Sequence, residues 1–253
     1  MLKSSPKVAV IRLNGAIGTG RGSLTDAALA PLIEKAFAKG KPKAVALQIN
    51  SPGGSPTQSA LIAARIRRLA AEKDLKVFAF VEDVAASGGY WLATAADEIF
   101  ADDNSVLGSI GVISGGFGFQ DLIKAYGIER RVHTAGESKS MMDPFKPEKK
   151  EDIARLERVL EQIHQNFKAQ VKGRRGDKLK GDNLFTGEIW IGQAAVDNGL
   201  IDGIGHMVPV MKARFGDEVT FKTYGQKKGL LSRFGATILA QIEERSLWAR
   251  FGL

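Results

Sequence analysis

Apolar residues along this chain recur in two alternating rhythms. Short unbroken apolar runs at 8–13, 44–49 and 77–81 read as strands buried on both faces, because a half-exposed strand would alternate with polar residues. Between them lie longer stretches with apolar residues three and four apart. Leu24, Leu29, Leu32, Ile33, Ala36 and Phe37 form one such helical stripe, with Ser23 placed to cap its start. A second helix is predicted over 56–71 and a short one from 88 to 95, followed by a strand at 98–101.

The second half continues the alternation. Residues 110–113 read as extended, 120–126 as helix, 130–133 as strand and 136–147 as loop. A long helix over 148–172 follows, with Ile153, Leu156, Leu160, Ile163 and Phe167 along one side. Then come a short helix at 192–198, an extended piece at 200–202 and a helix at 208–215. Such repetition predicts an α/β fold whose largely parallel β-sheet is covered by flanking helices. Without an internal repeat or low-complexity linker, 1–226 read as one domain and 227–253 as a basic amphipathic tail. In the tail Leu231, Phe234, Ile238 and Ile242 fall at helical spacing, with Arg233, Arg245 and Arg250 nearby. Packing on a neighbouring subunit and peripheral contact with an anionic membrane are equally good roles for it.

Composition removes several classes of function. A chain of 253 residues can bury a core without disulfides or metal. It has no cysteine, which excludes thiol catalysis and Cys-based zinc sites, and its three histidines, His133, His164 and His206, are too scattered for a metal site. Neither a metal nor a cofactor is expected. Residues 1–7 lack a secretory apolar run, and no stretch of about 18 apolar residues occurs. The expected location is cytoplasmic or peripheral to the inner membrane. A net charge of +8 would suit nucleic acid, but the basic residues are spread over several segments without interleaved aromatics. A solvated basic surface is expected, with no nucleic-acid partner.

The candidate chemistry sits in two glycine-flanked turns at the ends of predicted strands, where parallel sheets bind ligands. Asn50-Ser51-Pro52-Gly53-Gly54 offers backbone N–H groups that no Cβ obstructs. Ala85-Ala86-Ser87-Gly88-Gly89 sets a hydroxyl at a strand-to-helix bend, with an amide next to it and a helix dipole behind it. A serine needs a base. No histidine stands in a recognisable relation to Ser87, but Lys139 lies in a loop of small residues followed by Met141 and Met142, a setting able to bury an amine and expel water. Taken singly, each feature has a plainer use: Ser87 as a helix N-cap, Gly53-Gly54 as an ordinary turn, Ser109 as a local backbone cap, Lys139 as a solvated lysine.

Taken in order, these two motifs, then Gly108-Ser109-Ile110-Gly111-Val112, then the Lys139 loop, resemble the signal peptide peptidase A family of Ser–Lys peptidases, family S49, in its single-domain bacterial form. The resemblance covers about 8–215 and extends to Gly199-Leu200-Ile201-Asp202. It implies a ClpP/crotonase-like fold, with Ser87 as nucleophile, Lys139 as general base and Ser109 orienting the lysine. It implies an oxyanion hole from Gly53, Gly54 and Gly88, and a peptide groove along Gln58, Ile110, Gly111, Val112, Ile113 and Ser114. The substrates implied are short hydrophobic peptides such as remnant signal peptides. The assembly implied is a homo-oligomeric ring or dome, with an octamer as a candidate size and the dyad shared between subunits. Three rivals share the fold. A crotonase-type acyl-CoA enzyme would need carboxylates, for which Glu82 and Asp83 are nearest. A ClpP-type Ser–His–Asp peptidase would need a histidine closer after Ser87. The third is a membrane-associated scaffold without turnover.

Overall fold

The computed structural model describes residues 5–18, 22–226 and 248–251. In chain order the elements are β1 (Lys7–Asn14), α1 (Asp26–Ala38), β2 (Ala44–Ser51), α2 (Pro56–Lys73), β3 (Val77–Ala86), α3 (Gly88–Ala93), β4 (Glu98–Ala101) and β5 (Val106–Gly108). They continue with α4 (Gln120–Ala125), α5 (Lys150–Arg175), β6 (Ile189–Ile191), α6 (Gln193–Asp197), β7 (Gly203–Ile204), α7 (Met207–Phe215) and β8 (Thr220–Tyr224). Two compact units divide the chain: Val112–Asn166 forms one, and Met1–Gly111 with Phe167–Leu253 the other.

All eight described strands belong to the larger unit, in the order β6-β5-β3-β2-β1-β8, with β4 pairing β3 and β7. Every pairing is parallel except β5 with β6. The apolar runs bury both faces, as their lack of polar alternation predicts. Ile11, Leu13, Leu47, Ile49 and Val81 point into the main core beneath α1, α2 and α3, against Leu29, Ile33, Ile62 and Ile66. Val8, Val10, Ala46, Phe78 and Phe80 face the other way, under Met211 and Val219. Each fully buried Leu, Ile or Phe contributes roughly 1.5–3 kcal/mol. The last turns of α5 join the main core, where Phe167 stacks on Trp91 with ring centroids 4.9 Å apart.

The unit 112–166 is built differently. Every residue in it is half-buried or exposed, α4 buries none, and Ile113, Phe117 and Tyr126 are 69%, 81% and 76% exposed. Its organisation is local: Phe119 N–H donates to the Pro144 carbonyl, the Phe119 ring tilts against Phe117 and Phe145, and Arg130 stacks over Phe145. No helix among the described residues is long and apolar enough to cross a membrane.

Several expectations shift. The cap of α1 is Thr25, whose Oγ1 accepts from the Ala28 N–H, rather than Ser23; Leu24 instead bridges to Ile17 and is buried. Residues 110–113 and 130–133 are not strands. The pairing segment is Val106–Gly108, and Ile110 beyond it is buried by core packing. The extended piece at 200–202 gives way to pairing at Gly203–Ile204. β6 and β8 were not predicted: the first is three residues long and the second an edge strand with no buried position. Most of the basic tail, 227–247, lies outside the described residues. Trp248 and Phe251 pack against Val84, Ala86 and Val106.

Candidate active site

The two glycine turns meet because β2 and β3 are parallel neighbours, so their C-terminal ends lie side by side. Ser87 has φ 51° and ψ −121°, a backbone conformation a residue with a side chain adopts only under constraint. Two hydrogen bonds impose it. The Ser87 N–H donates to Gly108 O at 2.8 Å, and the Ser87 carbonyl accepts from Trp91 N–H at 3.0 Å as α3 begins. Although Ser87 occupies the N-cap position of α3, its hydroxyl makes no capping bond. The plainer use of this serine is therefore not the one the chain makes of it.

Close packing fixes the surrounding glycines. A Cβ at Gly53, where φ is 100°, would stand 2.8 Å from Ala86 O, Gly88 N and Ser87 Cβ. One at Gly88 would meet Ser59 Oγ at 2.5 Å and Gly54 N at 3.3 Å. Gly53, Gly54, Gly88 and Ser87 are thus gathered into one small space. Within it the Gly53 N–H donates to Ser51 Oγ at 3.3 Å. The amides of Gly54 and Gly88 have no hydrogen-bond partner among the described residues, and Gly54 is exposed. The site thereby offers two unpaired donors beside a hydroxyl.

Ser109 is tied to the same spot through Gly108, whose carbonyl holds Ser87. It too has a positive φ, 49°; it is 9% exposed, and its N–H donates to Glu188 O at 2.7 Å. Gln58 is half-buried, and its Oε1 accepts from the Asp26 N–H at 2.8 Å, joining the start of α2 to the start of α1. Asp26 is in turn gripped by both Nε and a terminal nitrogen of Arg65, whose hydrogen bonds hold that carboxyl below its usual range. Of the predicted groove, Ile110 is a core side chain, 0% exposed, and Gly111 N–H donates to Ser109 O. Val112, Ile113 and Ser114 open the other unit, the last two exposed.

Lys139 belongs to that other unit as well. It stands in a turn, its N–H donating to Gly136 O at 3.2 Å, and it is exposed. Met141 and Met142 beside it are half-buried, and within this one chain the loop leaves Lys139 uncovered.

The carboxylates that a crotonase-type reaction would need are engaged elsewhere. Glu82 accepts from Gln48 Nε2 and Asp83 from Asn50 Nδ2. Both line a cavity of about 570 Å³ with Phe80, Asp102, Ser105 and His206, and none of Ser87, Gly54 or Gly88 borders it. There His206 Nε2 pairs with Asp102 at 2.8 Å, and bonds from Asn104 and His206 hold the Asp102 carboxyl down at about 2. Among the described residues no group of three or more His, Asp or Glu is placed to hold a metal. Sequence reading named Asn50 and Ser51 only as parts of a motif and passed over Ser59; the signal for Ser59 was its helical spacing from Ser55, one turn into α2.

Fold and bend together define a class: an α/β protein that displays a serine on a constrained strand-to-helix turn beside unpaired glycine amides, the equipment of acyl-transfer hydrolases. Residues 70–214 match the model of peptidase family S49, and the chain belongs to that family. It is 36% identical to Protease 4 of Haemophilus influenzae over 79% of this chain and 33% of that protein. It is 31% identical to the chloroplastic serine protease SPPA of Arabidopsis thaliana, over 79% of this chain and 30% of that protein. A Brucella melitensis protein named Na(+)/H(+) antiporter NhaA is 49% identical over 98% of this chain, but the match takes in 37% of that protein. The aligned part is the S49-like part, which the antiporter name does not describe. The chain spans about a third of the length of these relatives.

Proposed function

We propose that this chain is a serine endopeptidase working through a Ser87–Lys139 dyad. The observation that carries the reading is the Ser87 bend: a positive-φ serine, its hydroxyl uncommitted to the helix it begins, next to the unpaired amides of Gly54 and Gly88. In the reaction the Ser87 Oγ attacks the peptide carbonyl carbon while neutral Lys139 Nζ takes the hydroxyl proton. The oxyanion that forms accepts hydrogen bonds from the Gly54 and Gly88 N–H groups, with Gly53 shaping the turn. Collapse breaks the C–N bond, and the leaving amine takes the proton from Lys139. Water, deprotonated by the Lys139 amine, then attacks the acyl carbonyl carbon; the ester C–O bond breaks, the peptide acid leaves, and the Lys139 ammonium returns its proton to Ser87 Oγ. Ser109, one residue beyond the carbonyl that holds Ser87, orients the lysine. Gly111 and the exposed 112–114 segment, with Gln58, border a groove for an extended peptide.

Short hydrophobic peptides, such as remnant signal peptides, are the proposed substrates. The relatives' protease names support peptide-bond hydrolysis, and the exposed apolar residues Ile113, Phe117 and Tyr126 suit a hydrophobic substrate. Lys139 lies in a unit with no buried residue, so we assign its enclosure to a neighbouring copy in a homo-oligomeric ring, which supplies the base to Ser87. The proposed place of work is the cytoplasm or the inner-membrane surface. Hydrolysis of a fluorogenic hydrophobic peptide by Ser87→Ala, by Lys139→Ala and by the two variants co-assembled tests the reading. Each variant alone is inactive and the mixture regains part of wild-type activity. An active Ser87→Ala chain would refute the reading, and a mixture as inactive as its parts would refute the shared dyad.

A further inference from the structure

β2 and β3 run in matched register from Val45↔Val77 to Ile49↔Val81, but the next pair is Ser51↔Ala85. One residue of β2, Asn50, therefore stands opposite three of β3, Glu82 to Val84. Such a bulge loosens the pairing at the point where the two strands are about to deliver their catalytic turns. Two amide side chains on the same side of β2 brace it. Gln48 Nε2 donates to Glu82, with Arg12 Nε in turn donating to Gln48. Asn50 does more: its Nδ2 donates to Asp83 Oδ2 at 2.5 Å, its Oδ1 accepts from the Val84 N–H at 3.3 Å, and its carbonyl accepts from Gly15 N–H. It is 9% exposed.

Four residues beyond Asn50 comes the Gly54 amide, and three beyond Val84 comes Ser87. We propose that Asn50 is a positioning residue, whose amide, held by Asp83, locks the end of β2 to the end of β3 and so sets the distance between the Gly54 donor and the Ser87 hydroxyl. The inference rests on the serine peptidase reading above. Asn50 touches no reacting atom; it acts through the strands. The bulge itself fits the role, because two added residues in β3 bring Ser87 level with Gly53 instead of beyond the Gly53–Gly54 turn, and the Asn50 side chain replaces the ladder bonds the bulge removes. Misplacement of a donor by about 1 Å is enough to cost about 100-fold in rate.

A charge exchange tests this. Asn50→Asp removes the donor and sets two carboxylates against each other. The expected result is a fall in kcat of about 30- to 100-fold with KM changed by less than about threefold. In the double variant Asn50→Asp/Asp83→Asn the pair is restored with donor and acceptor reversed. The amide now on β3 donates to the carboxylate now on β2, which can still accept from the Val84 N–H. Activity should return to within about fivefold of wild type. If Asn50→Asp does not fold, Asp83→Ala carries the test, with an expected fall in kcat of about tenfold at constant KM. Wild-type kcat in Asn50→Asp, or in Asp83→Ala where that is the variant in use, would overturn the proposal, as would a folded double variant no faster than Asn50→Asp. Failure of the underlying reading looks different: Ser87→Ala would keep wild-type activity, and the inference would fall with it.

Discussion

The two units of this chain solve opposite problems. The larger one spends a doubly covered sheet on holding a single bend still, and Ser87, Gly53, Gly54, Gly88 and Ser109 are placed by strand ends, tight contacts and backbone bonds. The unit 112–166 has no interior of its own; it displays Phe117, Tyr126 and Ile113 to solvent, and Lys139 stands exposed in a turn. On the proposed mechanism the nucleophile is organised within one chain, because the proposed oxyanion hole is backbone and backbone is rigid inside a sheet. The proposed lysine base needs water removed around its amine, and that demands a surface which 112–166 does not itself provide.

The sharpest way to break this contrast is Lys139→Ala. Because the side chain is exposed, the melting temperature should stay within about 1–2 °C of wild type. Peptidase activity, by contrast, should fall by about 1,000-fold or more. Unchanged activity, read alongside the melt, would remove the base from the account. Next in size come two glycine substitutions that differ only in surroundings. Gly53→Ala drives a methyl to 2.8 Å from three neighbours and should cost about 3 kcal/mol of stability in denaturant unfolding, with activity lost. Gly136→Ala, with φ of 97° and nothing within 4 Å, should cost about 1 kcal/mol through backbone strain alone. Equal costs would mean that the two units are packed alike.

A smaller effect lies in the acid response of the larger unit. Burial alone would raise the Asp202 carboxyl, but bonds from Arg175, Lys178 and the Ile99 N–H bring it below its usual value. Its contribution is therefore complete above about pH 4 and is lost as pH falls through the folded value. Asp202→Asn should cost about 2 kcal/mol at pH 7, and the gap to wild type should close in acid melts. The smallest expected change in stability is Phe117→Ser. At 81% exposure it should alter unfolding by less than about 0.5 kcal/mol, yet weaken self-association in sedimentation measurements. A large loss of stability there would give 112–166 a core after all.

Much of the larger unit was legible in its sequence. Doubly buried parallel strands write themselves as unbroken apolar runs, and the two glycine turns announce themselves by composition, so β1 to β4 and the Ser87 bend could be found from residues alone. What could not be read was everything set by partners far away in the chain. β6 is three residues that pair only because β5 lies beside them, and Ile110, taken as part of an extended groove, is drawn into the core. The Asn50–Asp83 brace joins residues 33 apart through a bulge no local pattern betrays. For 112–166 the difficulty is reversed: Ile153, Leu156, Leu160 and Ile163 line one side of the long helix as a core-facing stripe would, and none of the four is buried.

Mass mapping of a fluorophosphonate adduct tests the central claim most directly. The account predicts one phosphonylated site, on the peptide bearing Ser87, absent from Ser87→Ala and formed about 1,000-fold more slowly in Lys139→Ala. An adduct on another serine in the wild type, or labelling of Lys139→Ala at the wild-type rate, would contradict it.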